Sequence, residues 1–189
     1  KAKGYDVFAK SIKKILNKYP DWEAKIIGDE KREKINLKHK NAHILGFRQH
    51  KQVINIFKKS SIAVACSRWE EPFGRTSLEA SANGCAVIIT NKGGLPETVT
   101  NAKILKNLNS KNLTKQIDEL IRNTKIRNKL QRLSIENFYL THKFVTEKID
   151  NYRIEKLFLK KFNINALKKS LRILHITNFN ERLDGRLFF

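Results

Sequence analysis

Two carboxylates, Glu71 and Glu79, stand with seven residues between them in the stretch SRWEEPFGRTSLEASANGCAVIITNKGGLPE, residues 67–97. Ionised carboxylates only accept hydrogen bonds, so a pair at this spacing suits gripping hydroxyls on different parts of one sugar-rich ligand. Pro72 pushes Glu71 out of helical geometry, which places it on a loop ahead of the helix that contains Glu79. Gly74 lets backbone come close to a ligand, and a helix starting there offers free N–H groups and a positive dipole end. A diphosphate is stabilised at such a place without any special side chain. Taken alone, the acidic pair is better read as a solvated Glu70–Glu71 and a Glu79 paired with a lysine; the residues around it reverse that reading.

The elements that must position these residues alternate in type. Apolar residues at Val7, Phe8, Ile12, Ile15 and Leu16 predict a helix over 6–19 with one buried face, ended by Pro20. Strands are expected at 22–28 and 42–47, each closed by a glycine (Gly28, Gly46). The charged segment 29–40 reads as either loop or helix, and 49–60 as a helix. The continuous apolar runs SIAVAC (61–66) and CAVIIT (85–90) predict strands buried on both faces, with the helix 76–83 between them. A last short strand at 103–105 and helices at about 111–123, 125–139 and 143–159 follow. This order predicts an α/β fold, a Rossmann-like doubly wound parallel sheet with helices on both faces. Ligands then bind beyond the carboxyl ends of the strands, where Gly28, Gly46, Ser67 and Thr90 would line one crevice.

The same central stretch resembles the donor-site motif of retaining GT-B glycosyltransferases, the large family-4-like group. The glutamate pair, E-P-F-G, L-E-A, G-C-A-V-I and G-G-L-P-E all carry the likeness. Lys3–Gly4, Ile26–Ile27–Gly28 and Leu45–Gly46–Phe47 add landmarks, and the resemblance extends over about residues 1–150. It implies the C-terminal half of a GT-B fold, the domain that binds a nucleotide-sugar donor. Lys3 matches the lysine facing the donor diphosphate, and Glu71 the glutamate that holds hydroxyls of the transferred sugar; these are the expected catalytic residues. Glu79 matches the residue that binds ribose hydroxyls. Gly74 and Arg75, with Phe73 and Thr76 beside them, lie where backbone approaches sugar and phosphate. Gly46 and Phe47 are candidates for the nucleobase pocket, with the strand-end Gly28 next to them. The implied reaction transfers a hexose-like sugar from a nucleoside diphosphate with retention. No cofactor and no metal are expected, because positive side chains and helix dipoles balance the diphosphate.

Composition limits the other readings. The chain has 189 residues, 39 basic and 18 acidic, for a net charge of +21. The excess is spread evenly, +9 over residues 1–100 and +12 over 101–189, with no basic block and no zinc-finger spacing. Together with the wealth of Lys, Asn and Ile, this reads first as a general compositional bias and second as weak attraction to an anionic membrane surface, and specific nucleic-acid binding is not expected. Cys66 and Cys85 fit no metal pattern and are expected to be buried free thiols, which favours a reducing compartment. The five histidines fit no metal spacing and are expected at the surface or in strands. Trp22 is expected in the core, and Trp69 at the cleft rim, packed or touching acceptor.

The chain starts at Lys1, holds no methionine and ends on Phe189, so it is expected to be part of a longer protein. The expected donor-binding domain spans 1–160 and lacks its first strand, together with an arginine that the family carries several residues before Lys3, at the end of that strand. An N-terminal domain holding the glycan or lipid acceptor also falls outside the chain, so the fragment is expected to be inactive alone. The tail, 161–189, has a fresh strand signal at 171–177. It reads either as the opening of a second GT-B N-terminal domain or as a segment packing back on the first. The expected setting is cytoplasmic, at or near the inner face of a membrane. Two alternatives remain open: an enzyme like sucrose or sucrose-phosphate synthase, or a non-catalytic basic binding module.

Overall fold

The computed structural model describes residues 2–28 and 37–161. The expected strand at 171–177 and the second-domain reading of the tail lie outside the described residues, as does most of the ambiguous 29–40 segment. The chain divides into two compact units, Lys1–Thr141 and His142–Phe189.

In the first unit, helix α1 (Tyr5–Lys18) turns Val7, Ser11, Ile12, Ile15 and Leu16 inward, with the intervening lysines left outside. Strands β1 (Ala24–Ile27) and β2 (Ala42–Gly46) pair in parallel, Ala24 opposite Ala42, with an irregularity between Ile26 and Ile27. Helix α2 (His50–Phe57) leads to β3 (Ile62–Ala65), and α3 (Arg75–Ala82) to β4 (Ala86–Thr90). A single 3₁₀ turn (Pro96–Thr98) precedes β5 (Ala102–Leu105), then come α4 (Ser110–Arg122) and α5 (Thr124–Glu136). Strands β3, β4 and β5 form a parallel sheet with β4 in the middle.

Every residue of β4 is buried, and its period of two divides the interior. Ala86 and Ile88 join Ile15 and Leu16 of α1 and Leu113, Ile117 and Leu120 of α4 in one core. Val87 and Ile89 join Phe57 of α2, Ala80 of α3 and Leu95 in the other. Helices thus cover both faces of a parallel sheet, as the apolar run CAVIIT requires. Each fully buried Val, Leu or Ile contributes about 1.5–3 kcal/mol.

One expectation changes in detail. The strands form two parallel sheets, β1–β2 and β3–β4–β5, rather than one continuous ladder. Ala24 and Ile26 of β1 nevertheless belong to the same core as Ala86 and Ile88, so side-chain packing unites what backbone pairing does not.

Helix α6 (His142–Lys161) belongs to the second unit. Its side chains from 151 to 157 are exposed, including Tyr152, Ile154 and Leu157. No helix among the described residues is long and apolar enough to cross a membrane.

Candidate functional site

The segment ahead of α1 is fastened to the end of β3. The Ala2 carbonyl accepts from the backbone N–H groups of Arg68 (2.7 Å) and Trp69 (3.3 Å) and from the Ser67 hydroxyl (3.3 Å). Gly4, the N-cap of α1, has φ 68°, and a Cβ there would collide with the Cys66 carbonyl oxygen. Arg68 grips Asp6 of the first turn with both terminal nitrogens, at 2.5 and 2.8 Å. That guanidinium holds the Asp6 carboxyl down at about 2. Lys3 is thereby carried across to the E-E-P-F-G loop. Its ammonium donates to both oxygens of Glu71, at 2.6 and 2.8 Å.

That loop is itself held from below by the K-G-G segment. Glu70 accepts from Lys92 Nζ (2.7 Å) and from the Gly93 N–H (2.6 Å), which lower its carboxyl pKa, the lysine contributing most. The Gly94 N–H donates to the Glu71 carbonyl at 2.7 Å. A Cβ on Gly94 would lie 2.7 Å from the Phe73 carbonyl oxygen, so the two loops meet backbone to backbone.

Helix α3 begins at Gly74, φ 91°, and no side chain caps its first turn. Ser77 instead donates to the Gly74 carbonyl (2.7 Å) and pairs with the Thr98 hydroxyl (2.8 Å), tying the helix start to the 3₁₀ turn. The leading N–H groups of α3 are left for an anion. Arg75 and Thr76 are exposed at this end, and Phe73 is 48% exposed.

Farther along α3, Glu79 offers a side chain only 16% exposed. Its Oε1 accepts from Arg75 Nε at 2.6 Å and lies 3.0 Å from His50 Nε2. On the neighbouring sheet the Gly28 N–H donates to the Gly46 carbonyl at 3.0 Å, which joins those two strand ends. Phe47 follows with 74% of its surface exposed, and Trp69 is 59% exposed near Glu71 in sequence.

The sequence-predicted residues therefore assemble as three groups: Lys3 with Glu71, Arg75 with Glu79, and Gly28 with Gly46. Three participants escaped the sequence reading. His50 lies 29 positions from Glu79, and no spacing rule links them. The sequence leaves Glu70 open to reading as a solvated charge and gives Lys92 no side-chain role, yet the two clamp the loop that carries Glu71. Cys66 and Cys85 are buried and free as expected, and burial pushes their thiols up to about 11 and about 12. Trp22 is half-buried, with Arg127 over its ring at 5.4 Å.

A hollow of about 130 Å³ opens at the carboxyl ends of β3, β4 and β5, lined by Ser67, Arg68, Thr90, Lys92 and Lys106 among others. A larger one, about 470 Å³, lies by the α4–α5 junction at Glu119, Arg122 and Lys125, and touches none of the candidate residues. The smaller hollow lies at the carboxyl ends of the strands, where parallel α/β sheets bind ligands, and holds Ser67 and Thr90 of the expected crevice but none of Lys3, Glu71, Gly74, Arg75 or Glu79. Among the described residues no three His, Cys, Asp or Glu side chains converge on a metal-sized site.

Comparison with known proteins identifies the fold and the family. Spore coat protein SA of Bacillus subtilis is 27% identical over 151 residues, 71% of this chain and 40% of that protein. The lipopolysaccharide core biosynthesis mannosyltransferase LpsB of Rhizobium meliloti is 32% identical over 108 residues, 52% of this chain and 30% of that protein. The chain thus spans well under half the length of these relatives. The C-terminal domain of the group 1 glycosyltransferase LpcC from Francisella tularensis superposes with a TM-score of 0.63 at 28% identity, covering 71% of this chain and 77% of that one. Alr3699/HepE of Anabaena, solved with UDP-glucose, shares the fold at TM-score 0.57 and 22% identity, over 81% of this chain and 43% of that one. The fold is that of a GT-B glycosyltransferase C-terminal, Rossmann-like domain. Residues 1–136 match the glycosyl transferases group 1 family, to which this chain belongs.

Proposed function

We propose that the chain is the donor-binding unit of a retaining glycosyltransferase, which moves a sugar from a nucleoside diphosphate to a glycan or lipid-linked acceptor. One observation carries the reading. Lys3 and Glu71, 68 positions apart, meet just ahead of the uncapped N-terminus of α3. A cation and open amide groups suit the diphosphate, and the adjoining carboxylate suits the sugar hydroxyls. In this reading Lys3 leaves Glu71 when donor enters and faces the charge that develops on the departing diphosphate. Glu71 then accepts from sugar hydroxyls near the anomeric carbon, and Glu79 from the ribose. Gly28, Gly46 and Phe47 line the base side, while Phe73, Gly74, Arg75 and Thr76 surround the sugar and phosphate. Lys3 and the α3 amides offset the diphosphate charge, so the reading calls for no metal.

Support for a nucleotide sugar comes from the solved complex of HepE with UDP-glucose, a protein of the same fold. The acceptor would be held by residues outside this chain, so the unit alone should bind donor without turnover. The buried free thiols fit a reducing compartment, and the +21 charge fits work beside an anionic membrane face.

The test is a thermal-shift titration of the chain with UDP, GDP and ADP. Binding raises stability by mass action, about 2.7 kcal/mol at 100 times Kd, a rise of several degrees. Glu71→Gln and Glu79→Gln should reduce that rise. A flat response to all three nucleotides rejects the donor site. Salt-sensitive binding of nucleic acid without any nucleotide response would favour the basic binding module.

A further inference from the structure

We propose that His50 is a positioning residue for Glu79 and sets the preference of this site for a ribose ring. The inference rests on the donor-site reading above. Arg75 and His50 converge on one oxygen, Oε1, from two different helices, α3 and α2. A carboxylate only accepts, so His50 Nε2 carries the hydrogen in this contact. No bond of Oε2 to another side chain is found among the described residues, so that oxygen is left for an incoming ligand. Arg75 alone is a poor orienting group, because its guanidinium sits at the end of a long, many-torsion stem on the same helix. The shorter imidazole adds a donor with fewer rotatable bonds, and its own backbone is well fixed. It is the first residue of α2, whose start is closed by a reciprocal Gln49–Gln52 capping box.

Two donors on one oxygen fix the plane of the carboxylate, and a fixed plane discriminates where a rotating one only attracts. Oε2 then presents a defined acceptor to a ribose hydroxyl. His50 also lies three residues after the exposed Phe47. The base-side loop and the ribose acceptor are therefore linked through one side chain, with no need for an intervening ligand.

The experiment measures binding of the chain to UDP, GDP and ADP, each beside its 2′-deoxy form, and to pyrophosphate. Wild type, His50→Ala, His50→Gln and Glu79→Gln are compared by calorimetry, with thermal melting as the check on folding. His50 is 59% exposed, so His50→Ala should melt like wild type. The expected result is a roughly 5- to 20-fold loss of affinity for the preferred nucleotide in His50→Ala. The ribo-over-deoxy ratio should fall with it, and pyrophosphate binding should not change. His50→Gln, which keeps an N–H donor, should recover most of the ratio. An unchanged ratio in His50→Ala, alongside a collapsed ratio in Glu79→Gln, overturns the role of His50 and leaves the donor site standing. An equal loss for pyrophosphate also overturns it. If wild type binds none of the nucleotides, or does not distinguish ribose from deoxyribose, the underlying reading fails and this one with it.

Discussion

Lys3 donates to both carboxylate oxygens of Glu71, and the two side chains differ sharply in exposure, 66% against 14%. The more exposed partner is the lysine, so on the donor-site reading proposed above donor entry would exchange partners, the ammonium turning to phosphate and the carboxylate to hydroxyls. Lys3→Ala should weaken nucleoside diphosphate binding by about 10- to 100-fold, the range of one charge-assisted contact. Stability should fall by no more than about 1 kcal/mol, because the lysine end is largely in water. Calorimetry and thermal melting on the same variant separate the two effects.

Gly93→Ala should be far more damaging than its size implies. The added methyl would collide with the backbone of Glu71 at a φ of 52°, in the left-handed region. Relief requires moving the loop that carries Glu71. We expect a loss of about 2–4 kcal/mol in denaturant unfolding, and nucleotide binding reduced along with it. Lys92→Ala, which removes only an exposed side-chain contact to Glu70, should leave the unfolding midpoint nearly where it is in wild type.

Acid should release the anchor beneath Lys3. Asp6 is held at about 2 by Arg68, below the ordinary aspartate value of about 3.9. A depressed carboxylate stabilises the fold fully above its unfolded pKa and loses that contribution as pH falls toward about 2. Asp6→Asn should thus be less stable than wild type at pH 7, by up to about 1 kcal/mol for so exposed a pair. The difference should shrink as pH falls below about 4 and be gone only below about 2, which urea melts across that range will show.

The two thiols should be chemically silent in the native state. Burial holds Cys66 near about 11 and Cys85 near about 12, so almost no thiolate forms at pH 8. Iodoacetamide should label neither until urea unfolds the chain, then both, as read by mass spectrometry.

Most of the fold was legible because it depends on periodicity. The run 85–90 announced a buried strand and the three- and four-residue spacing of α1 announced its face, whereas 61–66 gave a strand that is only half-buried over Ile62–Ala65, at the edge of its sheet rather than covered on both faces. Helix ends were less clear: the 49–60 prediction shortens to His50–Phe57, and 125–139 to Thr124–Glu136. The break between β1–β2 and β3–β4–β5 was not legible, since ladder membership is a tertiary property. Within the site, the glutamate pair stood out because Pro72 and Gly74 punctuate it. Its supports did not. Glu70 reaches Lys92 and Gly93, and His50 reaches Glu79, across 22 to 29 positions of chain. Such contacts depend on how strands are ordered, which local pattern does not encode.

The division into two sheets has a colloidal consequence. Among the described residues β1, β2, β3 and β5 each lack a strand partner on one side, and an edge left unpaired can template another chain. The +21 charge works against such pairing by keeping molecules apart, with a reach of about 10 Å at 0.1 M salt and about 3 Å at 1 M. Added salt should therefore lower the solubility of this chain and promote its self-association, reversing the usual expectation for a strongly basic domain. Light scattering across a salt series would register this as growing particle size. A peptide strand that seals the open edges should suppress the growth without altering net charge appreciably.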